Sequence, residues 1–146
     1  MREVKSETPV EFFVTPGAGA KLHGMLHYSQ AVRYGDVVEI SGQGGWDDDV
    51  VIAGDLEAEI VQAFDNVERV LAAAGATWRD VVSVNSYHKV AAGSDTIGAD
   101  HNDVMAAQFR ARMGDRSPIW TQTGVTVLGA PTMHVEIRVK AVIRDR

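Results

Sequence analysis

Residues 116–142, RSPIWTQTGVTVLGAPTMHVEIRVKAV, constrain the fold most, because side chains of unlike character alternate along two runs within them. Ile119, Thr121, Thr123, Val125 and Val127 interleave with Trp120, Gln122, Gly124 and Thr126, and Met133, Val135, Ile137, Val139 and Ala141 interleave with His134, Glu136, Arg138 and Lys140. Successive residues of an extended chain point to opposite faces, so a period of two predicts two strands, each with an apolar and a polar face. Leu128-Gly-Ala-Pro-Thr132 interrupts pairing and reads as the loop of a hairpin. The face bearing Trp120, Gln122, His134, Glu136, Arg138 and Lys140 is either a wetted surface, as antiparallel sheets commonly have, or the wall of a site.

A chain of 146 residues that is 45% hydrophobic and 23% charged can build one soluble domain, residues 1–146, with a true core. Its net charge of −6 argues against a broad nucleic-acid surface, since that affinity comes mainly from phosphate neutralisation. The absence of cysteine excludes disulfides, thiolate catalysis and cysteine-rich metal centres. No stretch approaches the roughly 20 apolar residues of a membrane span, and the N-terminus lacks a cleavable-leader pattern, so the cytoplasm is expected.

Along the chain, Thr15–Ala20 reads as a turn or loose loop. Residues 26–45 read as two short strands joined at Tyr34-Gly-Asp36, with Glu39 placed centrally among apolar neighbours, either as a site residue or as an edge charge that discourages aggregation. Leu56, Ile60, Ala63, Phe64, Val67, Val70 and Leu71 recur at helical spacing between an Asp55 cap and a Gly75 stop. Asp80–Val90 alternates as a strand, and a second helix capped near Asp100 ends at Gly114. The order predicts an α+β fold, a mixed six-stranded sheet with two helices on one face. Nothing remains to cover the other face, where Val37 and Val81 are expected, so self-association is expected there, with small-molecule clefts between copies.

Chemical motifs are sparse. His23 and His27 have helical ligand spacing but precede a strand pattern with Gly24 between them, so no metal site is expected. Gly42-Gln-Gly-Gly45 lacks the Lys and Ser/Thr of a phosphate loop, the acidic run Asp47–Asp49 lacks the further oxygens of a calcium loop, and no catalytic histidine pair is evident.

Tyr28-Ser-Gln-Ala-Val32, Gly35-Asp36, Ser41-Gly-Gln43, Gly54-Asp-Leu-Glu-Ala58, Asn66-Val67, Leu71-Ala-Ala-Ala-Gly75, Asp80-Val-Val82, Gly124-Val125 and Val135-Glu-Ile137 together resemble the Rid, or YjgF, family of reactive-intermediate deaminases. The resemblance runs from about residue 26 to 143. It implies a chorismate-mutase-like fold, a homotrimer, clefts between adjacent subunits, and hydrolysis of imines without metal or organic cofactor. Carried onto this chain, the water-positioning glutamate is Glu136, the cleft tyrosine Tyr28, the strand serine Ser41 and the helix-start asparagine Asn102.

The arginine by which the deaminases hold a 2-imino acid carboxylate corresponds to Trp120, in Pro118-Ile-Trp-Thr121. Indole offers one neutral donor, where guanidinium makes two charge-assisted bonds of roughly 1.5–3 kcal/mol each. With Glu39 as a second candidate acid/base, the resemblance implies an acidic cleft. It would suit a neutral, aromatic or cationic ligand, with Trp120 as a stacking platform and Gln122 beside it. Arg138, on the strand face of Glu136, is the one residue that could supply a guanidinium from a new position. The reading is therefore a homotrimer that binds a small molecule, acts on an imine, enamine or related bond, and engages neither membrane nor nucleic acid. The alternative is a non-catalytic trimer that binds a ligand or another protein.

Overall fold

The computed structural model describes residues 8–144. The elements are β1 (Val10–Phe13), α1 (Ala18–Leu26), β2 (Ala31–Tyr34), β3 (Val37–Ile40), α2 (Leu56–Ala73), β4 (Val81–Lys89), α3 (Ala99–Met113), β5 (Ile119–Val125) and β6 (Val135–Val142), with a 3-10 turn at Trp78–Asp80. The strands form one mixed sheet in the order β1-β2-β3-β6-β4-β5. β4 and β5 are parallel and all other neighbours antiparallel.

α2 is the helix expected from its apolar stripe. The Asp55 carboxylate accepts the Ala58 N–H at 2.7 Å, and Ile60, Ala63, Phe64, Val67 and Leu71 are wholly buried against the sheet. Gly75 turns the chain out of the helix at φ 88, in the left-handed region that favours glycine. Trp78 stacks on Phe64 at 4.8 Å, and the Phe109 edge from α3 meets Phe64 at 5.5 Å, locking both helices to one sheet face. The β2–β3 hairpin turns at Gly35 as expected.

Several expectations fail. β5 and β6 are not a hairpin: β6 lies between β3 and β4, while β5 pairs with the far side of β4, so residues 126–134 cross over an intervening strand. The α3 crossover between β4 and β5 makes that pair parallel, which a local alternation pattern cannot reveal. The faces change accordingly. Trp120 is level with Val84 and Gln122 with Ser86, on the helix-covered side, whereas Glu136 is level with Tyr87 and Arg138 with Asn85, on the open side. Ile119, expected in the core, is 75% exposed on the open side of an edge strand.

Ala18–Leu26 forms a third helix where a loose loop was read at Thr15–Ala20. Ala18 and Leu22 bury against Trp46 and Met133 in a second small core, and the helix ends at His27 in a left-handed conformation, with the His23 and His27 rings 5.6 Å apart. A register irregularity between Val81 and Ser83 turns Val81 into the main core and off the open face. The α3 N-cap is Gly98, without a side-chain cap, and Asp100 lies in the first turn. Among the described residues, no helix is long and apolar enough to cross a membrane.

Candidate functional site

Glu136 sits half-buried on the open face of β6, and its carboxylate lies over Gly42 just beyond β3. A Cβ at Gly42 would fall 2.5 Å from Glu136 Oε1, so the glycine leaves the room that the carboxylate occupies. The turn is fixed from both sides: Gln43 exchanges backbone hydrogen bonds with Ile137, and Ser41 N–H donates to the Gln30 carbonyl at 2.8 Å. Burial pushes the Glu136 carboxyl pKa up. Tyr28 is raised as well, first by burial and then by the Glu136 charge. The Ser41 hydroxyl donates to the Gln30 carbonyl at 3.3 Å.

Glu39 and Arg138 engage each other on the same face. The Tyr34 hydroxyl donates to Glu39 Oε2, and the Arg138 guanidinium lies 3.8 Å from Oε1. The hydrogen bond to Glu39 raises the Tyr34 pKa. Glu39 therefore holds two partners, and Arg138 neutralises Glu39 rather than Glu136. A cavity of about 550 Å³ runs along this face, bounded by Phe12, His27, Glu39, Ser41, Gly42 and Arg138.

Trp120, Gln122 and Asn102 form a separate group. Gln122 Nε2 donates to Asn102 Oδ1 at 2.7 Å beside a second cavity of about 540 Å³. The Trp120 ring meets the Phe109 edge at 5.2 Å, and its Nε1–H donates to Ser86 Oγ at 2.8 Å. Ser86 Oγ is 2.8 Å from His88 Nε2, and His88 Nδ1 is 2.9 Å from His101 Nδ1. Burial, then the His101 charge, lowers the His88 pKa to about 4. Apart from Ser86 and His88 sharing the face of Val84, the sequence carries no spacing signal for this histidine pair. Glu59 on α2 was also missed. Its buried carboxylate accepts the His134 and Val135 backbone N–H groups at 2.6 and 3.2 Å and lies 2.8 Å from His134 Nδ1. Among the described residues, no group of three or more His, Cys, Asp or Glu side chains could hold a metal ion.

A mixed six-stranded sheet with α2 and α3 packed on one face and a glutamate at the first polar position of β6 defines the class. The sequence pattern described as Endoribonuclease L-PSP matches residues 19–143, and the chain belongs to that family, also called YjgF or Rid. RutC family protein YjgH of Escherichia coli K12 is 32% identical over 124 residues, covering 85% of this chain and 90% of that one. A 2-iminobutanoate/2-iminopropanoate deaminase of Dermatophagoides farinae is 36% identical over 94 residues, covering 63% of this chain and 70% of its own. The solved structure of protein YJGH superposes with a TM-score of 0.75 at 30% identity, over 97% of this chain and all of that one. Rv2704 of Mycobacterium tuberculosis gives 0.72 at 27%, over 92% of this chain and all of that one.

Proposed function

We propose that this protein is a homotrimer that hydrolyses the C=N bond of a small imine, or of the imine tautomer of an enamine, in clefts between subunits. The supporting observation is the pairing of Glu136 with Tyr28: a half-buried carboxylate whose proton affinity burial has raised, beside a tyrosine that burial and that carboxylate keep protonated. Glu136 takes a proton from water as its oxygen attacks the imine carbon. The same proton passes to nitrogen, and the carbinolamine collapses to a carbonyl compound and ammonia. Glu136, Tyr28 and Ser41 face away from Trp120, Gln122 and Asn102 within one chain. Setting the open face of one copy against the α3–β5 edge of the next would complete a cleft from both groups, which supports the trimeric reading.

The substrate in this reading is uncharged or cationic at the end remote from the imine. Trp120 stands where the family's arginine is expected, its one donor is held by Ser86, and Arg138 is drawn to Glu39. The same observation favours a second reading, in which the trimer binds a ligand or a protein without turnover. Ammonia release from imines generated in situ by oxidation of parent amines separates them. Turnover that disappears in Glu136→Gln supports the enzyme, and binding without ammonia release supports the alternative.

A further inference from the structure

A cavity of about 570 Å³ opens where the α2 and α3 N-termini approach the end of β4, and it shares no lining residue with the Glu39–Ser41–Arg138 cavity. Glu59, His101 and His134 line it. It adjoins the Asn102–Gln122 cavity through Val90, Ser94 and Thr96. The hydrogen bonds around it fix where each ring proton must sit.

Trp120 Nε1–H can only donate, so Ser86 Oγ accepts from it. Ser86 is wholly buried, and its own hydroxyl proton finds an acceptor only if it points at His88 Nε2. His88 then carries its proton on Nδ1 and gives it to His101 Nδ1, which leaves the His101 proton on Nε2. Among the described residues no buried side-chain nitrogen or oxygen lacks a partner, and His101 Nε2 makes no hydrogen bond, so this N–H reaches the cavity. Glu59, which lines the same cavity, accepts the His134 and Val135 backbone N–H groups, and as a carboxylate it can only accept. His134 Nδ1 therefore donates to it, which in the neutral ring leaves the lone pair on Nε2, on a side chain that is half-exposed.

We infer that this cavity is a second small-molecule site, which takes a neutral planar amide or ureide group: His101 Nε2–H donates to its carbonyl oxygen, and His134 Nε2 accepts its N–H. A carboxylate has no N–H for His134, and an ammonium has no acceptor for His101. Each can therefore make only one of these two histidine bonds. Glu59 sets the selectivity by fixing the His134 tautomer.

The test uses full-length protein with 15N-labelled histidine, read by the ring nitrogen resonances during titration with acetamide, acetate and methylammonium. The ring protons are expected on His101 Nε2, His88 Nδ1 and His134 Nδ1. Acetamide is expected to shift the His101 and His134 resonances saturably in wild type and equally in Glu136→Gln, which separates this site from the imine-hydrolysing one. In Glu59→Gln the side-chain oxygen must still accept the two backbone N–H groups. Its NH2 then faces His134 Nδ1, moves the ring proton to Nε2, and weakens acetamide about tenfold. His134→Ala, at a half-exposed position, should abolish the shift at His101 while the protein stays folded. A proton on His101 Nδ1, no saturable shift, or equal binding of acetate or methylammonium would overturn the inference.

Discussion

The indole Nε1–H of Trp120 is spent on Ser86 Oγ, 2.8 Å away, and through Ser86 it is tied to the buried ring of His88. Trp120 is therefore anchored from below by the protein's own interior, and only its π surface is free for a ligand. Trp120→Phe keeps the ring packing on Phe109 and removes that anchor. We expect a loss of about 1 kcal/mol in chemical denaturation, the ordinary net worth of one hydrogen bond, with ligand affinity changed far less than in Trp120→Ala.

Gly42 and Glu136 offer a test in which stability and activity separate. The Cβ of Gly42→Ala would occupy the place of the Glu136 carboxylate, the far end of a flexible, half-buried side chain, and the backbone at Gly42 is not in the left-handed region. Turnover should fall at least tenfold, while stability changes by no more than about 1 kcal/mol, the scale of a surface rearrangement. Calorimetry and steady-state rates on the same sample check both.

Glu136 itself is expected to cost stability. Its pKa is raised in the folded state by burial, so the carboxyl favours folding while protonated and loses that contribution as pH rises through the folded value. Glu136→Gln should therefore raise Tm at neutral pH, and the increment should vanish at pH values where the wild-type carboxyl is protonated.

The His88 ring works in the opposite sense. Its folded pKa of about 4 lies below the ordinary 6.5, so the neutral ring's contribution is complete above pH 6.5 and is lost as pH falls toward 4. Denaturant midpoints measured in the Glu136→Gln background, free of that carboxyl's opposing change, should decline across this window. A flat profile there would show that the pair with His101 is not buried as described.

Arg138→Ala isolates the role of the guanidinium beside Glu39 on the open face. Arg138 lies 3.8 Å from Glu39 and is half-exposed, so its loss should cost well under about 1 kcal/mol and leave turnover of an uncharged imine unchanged. A selective loss of binding to an anionic ligand would instead make it a carboxylate clamp.

Much of this was legible before the structure. The apolar stripe from Leu56 to Leu71, its Asp55 cap and the alternation of Val135 to Ala141 are local patterns, and local patterns fix elements. Their partners are not local. β5 alternates as regularly as β6, yet it lies two places away in the sheet, and only the α3 crossover decides which of its faces meets the helices. That is why the alternation alone puts Trp120 and Gln122 on the face of Glu136, whereas in the sheet they lie on the opposite side. The His88–His101 and Glu59–His134 contacts join residues far apart in sequence or on different elements, and no spacing rule announces them. Helix α1 escaped notice because a Gly- and Ala-rich start resembles a loop until Trp46 and Met133 give Ala18 and Leu22 something to pack against.

Hydrolysis of imines that lack a carboxylate is the proposed role of Glu136. The direct measurement is ammonia release by wild type and Glu136→Gln from an uncharged imine and from 2-iminobutanoate, each generated in situ. Wild type should turn over the uncharged imine, with kcat/KM for 2-iminobutanoate at least about a hundredfold lower because its carboxylate would enter the cleft without the two charge-assisted bonds that offset its desolvation, and both activities should be lost in Glu136→Gln. Equal or faster release from 2-iminobutanoate, or full activity in the variant, would contradict it.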